Sequence, residues 1–266
     1  MTTELLTSPI FAQSLQAALL AGFLCGFVGP IFVWRRLALF GNAISHASLT
    51  PIALAQLAGL PFVALLFPFS LGLSVLLTKI ERKGFPELDS VLSIFFSGLM
   101  ALGILILSTT GGGSSEAVHY LFGDVLLVSH TDLLILGLVT LAIIIYAAIS
   151  WRDLVLMALH SDLAEVEGVP VARHTYFLMA LCGLAVTCVL LLMGVILATS
   201  LIVVPPMIAR SFTHTLKSHV IASVVIGAAM SVGGLTLAVA LDTASGPTIA
   251  VVGLVLFIFS SLIRKN

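Results

Sequence analysis

Charged side chains are scarce in this chain, at 9% of 266 residues against 60% hydrophobic. A soluble domain carries about 25% charged residues. So little polarity excludes a globule that faces water on all sides. Cysteine is scarce too. Cys25, Cys182 and Cys188 lie inside apolar runs with no CxxC spacing. That excludes a disulfide framework or a zinc cluster and leaves small packing residues. Enzyme signatures are missing: there is no HExxH, GxSxG or phosphate-binding GxxxxGK[ST]. Gly111-Gly112-Gly113 is followed by Ser114-Ser115 rather than by a lysine. If the protein uses ATP, another subunit must bind it. The few basic residues are scattered, which excludes a patch for nucleic acid. The amino terminus has no basic region and no small-residue cleavage site after its first apolar run, so no cleaved signal peptide is expected.

What the chain does have is a series of long apolar runs, with a mean hydropathy of +1.23. A helix needs roughly 20 apolar residues to cross the hydrocarbon core. The runs near 12–33, 41–58, 62–78, 88–108, 132–150, 173–193, 195–209, 219–241 and 247–263 predict an all-α, polytopic helical membrane protein of about nine spans, forming one domain over 1–266. The seventh run, 195–209, is short and carries Pro205-Pro206 near its end, which lack backbone donors. All 11 Lys and Arg fall in alternate gaps: Arg35, Arg36, Lys79, Arg82, Lys83, Arg152, Arg173, Arg210, Lys217, Arg264 and Lys265. Basic residues stay on the cytoplasmic side. The amino terminus and residues 109–131 are therefore expected outside. Residues 79–87, 151–172, 210–218 and the carboxyl terminus are expected inside.

Polar groups at membrane depth are costly and mark functional candidates. The densest set is Gly41-Asn42-Ala43-Ile44-Ser45-His46-Ala47-Ser48. Asn42 and His46 stand one helical turn apart on one face and can offer an amide oxygen and an imidazole nitrogen to one cation. The alternative is a histidine that hydrogen-bonds a neighbouring helix. Ser45 and His46 are adjacent and point to different faces, which argues against a catalytic dyad. Asp242, before Ser245-Gly246-Pro247, is either a path residue or a helix-terminus carboxylate. Asp89 opens the fourth run, where a carboxylate suits the helix dipole. Asp124, His119 and His130 sit in the outer gap, which starts with a flexible glycine-serine connector and continues in a short amphipathic piece around 120–127. His214 and His219 in an inner gap read as incidental. In the inner 151–172 gap, Ser161-Asp162 followed by Glu165 predicts a helix that ends at Gly168, ahead of Pro170.

Together these residues resemble the membrane permease subunit of bacterial ATP-binding-cassette importers for zinc, manganese and iron, nearest to the zinc-uptake branch. The resemblance rests on Val33-Trp34-Arg35-Arg36 leading into Gly41–Ala47, on Leu88-Asp89-Ser90-Val91-Leu92, and on Tyr120-Leu121-Phe122-Gly123-Asp124. It continues through Ser161-Asp162-Leu163-Ala164 with Gly168-Val169, Ser200–Pro206 with Ala209-Arg210, and Asp242-Thr243-Ala244-Ser245-Gly246-Pro247. It implies a type II ABC importer-like permease fold in a bacterial plasma (inner) membrane. It implies partners: two copies of a cytoplasmic ATP-binding subunit, a periplasmic or extracellular metal-binding protein, a second copy of the permease, and membrane lipid. No permanently bound cofactor is implied; the metal, zinc first, is cargo. His46 and Asn42, with Asp242 and Asp124, become candidates for a transient metal path. Ser161, Asp162, Leu163, Glu165, Val166 and Gly168 become the segment that couples to the ATPase. The family usually places an acid where this chain has Asn42. A secondary carrier is the competing reading. It would require intramembrane acids and related halves, and neither is evident.

Overall fold

The computed structural model describes residues 9–35, 37–84, 88–109, 123, 125 and 128–263. Arg36, Arg264, Lys265, Asp124, His119 and the 111–115 connector lie outside them, as do residues 120–127 apart from Gly123 and Val125. In chain order the described helices are α1 (Pro9–Trp34), α2 (Ala38–Ala47), α3 (Leu49–Ala58), α4 (Phe62–Arg82), α5 (Leu88–Thr109), α6 (His130–Ile149), α7 (Trp151–Leu159), α8 (Ser161–Val166), α9 (Val171–Ala209), α10 (Leu216–Leu241) and α11 (Ser245–Ile263). Among the described residues there is no strand. Large apolar side chains such as Ile94, Leu105, Leu134, Leu138 and Leu262 are exposed, as suits helices solvated by lipid rather than water.

Seven of these helices are long and apolar enough to cross a membrane. Two departures from continuous helix account for the difference from nine. The 39-residue α9 is two helices joined at Gly194, whose φ of 78° and ψ of 169° are not helical. Gly194 is the residue left between the sixth and seventh expected spans. A positive φ of this kind suits glycine. The segment after it, 195–209, rises only about 22 Å. The second expected span is not continuous either: α2 stops at Ala47 and α3 starts at Leu49. Pro51 in the first turn of α3 has no N–H to offer the Ala47 carbonyl. At the junction the Ser48 N–H and Oγ both donate to the Ile44 carbonyl, at 3.1 and 2.6 Å.

By contact the chain divides into two compact units. The first comprises Met1–Val33, Val118–Thr140 and Cys188–Asn266. Here α1 and α10 meet through small residues. A Cβ on Gly22 would strike the Gly227 carbonyl and Ser231 Oγ, and one on Gly26 would strike the Ser223 carbonyl and Val224 Cα. Without a hydrophobic drive between helices in lipid, such close backbone approach supplies the association. Gly26→Leu is therefore expected to destabilise by about 1–3 kcal/mol or more. Gly233→Ala on α10 adds a Cβ that meets nothing, so it is expected to be neutral or slightly stabilising. Thermal unfolding of both variants in detergent checks the contrast.

In the same unit the second part of α9 covers the expected seventh span, 195–209. Both prolines lie inside α9, which continues to Ala209. The prolines deprive the Leu201 and Ile202 carbonyls of their helical donors. Gly29 of α1 lies directly against the Ile202 carbonyl and the Pro206 ring. His219, only 5% exposed, contacts the Pro206 carbonyl through Nε2 at 2.9 Å. It is part of the packing around the proline pair and not incidental. His214 is exposed.

The second unit comprises Trp34–Ala117 and Leu141–Thr187. Ser70, Ser74 and Thr78 form a buried stripe on α4. Ser70 Oγ donates to the Gly183 carbonyl at 3.1 Å and accepts from Thr187 Oγ1 at 2.6 Å. Gly183 leaves room for Ser74 Oγ, which a Cβ would strike. These bonds tie α4 to the first part of α9 and satisfy hydroxyls that would be costly unpaired in an apolar setting.

Candidate metal path and coupling segment

From Phe40 to Pro51 the chain is buried at every position except two, and those two are Asn42 and His46. Both lie on α2, one turn apart on a shared face. The helix thus turns its packed side inward and leaves an amide and an imidazole together on its partly exposed side. The His46 ring meets the Phe96 ring of α5 edge-to-face, with centroids 4.4 Å apart and planes at 73°. Two contacts fix α5 there. Thr50 Oγ1 donates to the Leu99 carbonyl, and Gly103 lies close against the backbone of Leu49 and Thr50. Phe96 was invisible in the sequence, because an aromatic in an apolar run, here beside Phe95, carries no positional signal.

Asp242, in the first unit, is exposed and is the residue that caps the end of α10. Its φ of 54° makes it the one described non-glycine residue with positive φ, a conformation that aspartate tolerates better than most. Asp124 lies outside the described residues. Among the described residues, no group of three or more His, Cys, Asp and Glu is placed to hold a metal ion. Cys25, Cys182 and Cys188 are each buried and free. Asp89 stands in the first turn of α5 as expected. His130 is exposed at the start of α6.

The segment after α7 forms α8, a short helix whose N-cap is His160, with Ser161 as its first residue. Its end has an identifiable cause. Gly168 takes a φ of 80°, its N–H bonds the Glu165 carbonyl, and the Val169 N–H bonds the Ala164 carbonyl. This is the double-bond closure that a left-handed glycine makes possible. Ala164 is fully buried, whereas Leu163 is 49% and Val166 85% exposed. Asp162, Glu165 and Glu167 are exposed as well. Leu159, His160, Ser161, Asp162, Leu163 and Val166 line an open groove of about 640 Å³.

Long lipid-facing helices, small-residue helix contacts, a polar pair on a partly exposed helix face and a protruding helical stub together make a membrane permease. The chain belongs to the ABC 3 transport family, which it matches over residues 8–264. It is 28% identical to the high-affinity zinc uptake system membrane protein ZnuB of Haemophilus influenzae, covering 96% of this chain and 99% of that one. It is 31% identical to the manganese transport system membrane protein MntC of Halalkalibacterium halodurans, covering 96% and 87%. Among solved structures it resembles PsaBC from Streptococcus pneumoniae in complex with Fab. The TM-score is 0.84 at 30% identity, covering 97% of this chain and 94% of that one.

Proposed function

We propose that this chain imports a divalent transition metal, zinc ahead of manganese or iron, as the permease subunit of an importer whose ATP is hydrolysed on a separate subunit. The observation that carries the choice of metal is the Asn42–His46 pair, the two partly exposed positions of an otherwise buried stretch. Imidazole suits zinc, whereas manganese favours carboxylates and water, and this pair has no carboxylate. A pair of neutral ligands binds weakly, which suits a path that must release its cargo. Membership of the family supports the transport reading, and relatives named for zinc and for manganese support a metal as cargo. The test is uptake by vesicles carrying the reconstituted complex, with the three metals in competition. Zinc uptake should persist against equal manganese and iron. Displacement of zinc by manganese would reassign the cargo.

In this reading residues 1–266 act as one permease domain, paired with a second copy. Two cytoplasmic ATP-binding subunits dock on α8, and an external metal-binding protein delivers the ion. Leu163 and Val166 would enter an apolar pocket of the ATPase, while Asp162, Glu165 and Glu167 would meet basic side chains on its rim. A soluble partner can grip an apolar, acid-flanked stub of this kind. The orientation follows from the basic gaps, with the amino terminus outside and α8 inside. A single cysteine at Lys83, in a background lacking Cys25, Cys182 and Cys188, should react with an impermeant reagent only in inside-out vesicles. Labelling in intact cells would reverse the topology.

A further inference from the structure

Three consecutive residues at the start of α9 each reach a different part of the second unit. His174 faces the end of α6 and the start of α7: its Nδ1 lies 2.8 Å from Tyr146 Oη, whose hydroxyl also reaches the His174 carbonyl at 3.4 Å, and its Nε2 faces Asp153 Oδ2 at 3.4 Å. With Nε2–H directed at the carboxylate, Nδ1 is free to accept from the tyrosine hydroxyl. Thr175, 1% exposed, accepts from Arg35 Nη1 at 3.3 Å, just after α1. Arg35 in turn pairs with Glu81 of α4 at 3.0 Å, both side chains largely shielded. Tyr176 lies under Arg82 at the end of α4, with the guanidinium carbon 5.8 Å from the ring centre, within cation–π range.

The arrangement has a simple geometric origin. Successive helical residues point about 100° apart, so three neighbours radiate towards three elements. The chain also leaves the membrane helices at Tyr146–Asp153 and returns at His174. The Tyr146–His174–Asp153 contact therefore closes the base of the excursion that carries α7 and α8. Arg152 and Glu167, 3.8 Å apart and exposed, add only a weak surface pair to that closure.

We infer that His174-Thr175-Tyr176 is the positioning link that passes displacement of α8 to Arg35 and to the ends of α4 and α6. The inference rests on the reading of α8 as the ATPase docking segment. A force on α8 meets a base tied at His174. From there the rigid first turn of α9 carries it to Arg35–Glu81 through Thr175 and to Arg82 through Tyr176. The residues neither bind metal nor touch nucleotide, so they set how much transport each ATP yields and not how fast ATP is cleaved.

The test uses the full reconstituted complex and measures metal moved per ATP hydrolysed, per assembled transporter. His174→Leu and Tyr176→Leu are each expected to lower that ratio several-fold while basal hydrolysis and assembly hold. His174→Gln should restore it, because its amide oxygen can accept from Tyr146 and its NH₂ can donate to Asp153. The double variant Tyr146→Phe/His174→Leu should be no worse than His174→Leu alone, as expected for partners in one contact. Transport and hydrolysis falling in proportion, or no rescue by glutamine, would reduce the three residues to fold stabilisers and overturn the inference. Leu163→Asp run alongside separates the two layers. If it uncouples while the α9 variants behave as wild type, docking at α8 stands and the link fails. If Leu163→Asp itself is silent, docking fails, and the link loses the input it was inferred to carry.

Discussion

Replacing His46 by alanine should reduce metal uptake per assembled transporter by at least the roughly 10–100-fold that losing even an outer-shell partner of a metal site costs. The imidazole is one of two polar groups on the partly exposed face of α2, and removing it leaves only an amide for the ion to meet. Assembly should survive, since the main contacts of α2 and α3 with α5 run through Thr50, Gly103 and the buried residues. Only a neutral imidazole binds a cation, so uptake should weaken at acidic pH. Asn42→Asp adds a charge beside the ion. It should tighten binding, slow release and shift preference towards manganese. If His46 is instead helix glue, alanine will cost stability and His46→Gln will restore uptake fully. Full restoration by glutamine would remove His46 from the path.

Uncoupling is the second large effect. Leu163→Asp places a charge where about half of a leucine side chain is now exposed for docking. Transport should drop on the order of tenfold or more, given that burying an unpaired charge costs several kcal/mol, while the permease stays folded because Ala164 and not Leu163 packs inward. Gly168→Pro removes both the N–H that closes α8 on Glu165 and the positive φ that the turn requires. It should misplace α8 with a similar loss. Normal transport by both variants with intact assembly would show that the ATPase docks elsewhere. Uptake and ATP hydrolysis measured on the same reconstituted complex decide the matter.

The features that were legible in the sequence are those with a local cause. Asn42 and His46 stood out because their spacing matches one helical turn and their polarity contrasts with the run around them. The short helix α8 was legible because Gly168 and Pro170 stop any helix that reaches them. The break at Gly194 fell between two expected spans because glycine alone is at ease in that backbone conformation. The break at Ser48 had its cause three residues on, in Pro51, but the unbroken hydropathy of 41–58 concealed it. The packing around Pro205-Pro206 was not legible for a tertiary reason: Gly29, far away in the chain, lies against the Ile202 carbonyl and the Pro206 ring, and His219 meets the Pro206 carbonyl. The contacts of Phe96, Arg35 and His174 were unreadable for the same reason. A lone aromatic or a basic residue at a helix end looks the same whether or not a partner meets it.

In the proposed function the ion moves because ATP is hydrolysed on a partner, not because another ion flows. The direct measurement is zinc accumulation by sealed vesicles containing the permease, with the ATPase face and an imposed proton or sodium gradient controlled separately. With ATP and the metal-binding protein present and no gradient, zinc should accumulate against its own concentration, and a gradient without ATP should move nothing. Accumulation driven by the gradient in the permease alone would contradict the account and make the protein a secondary carrier.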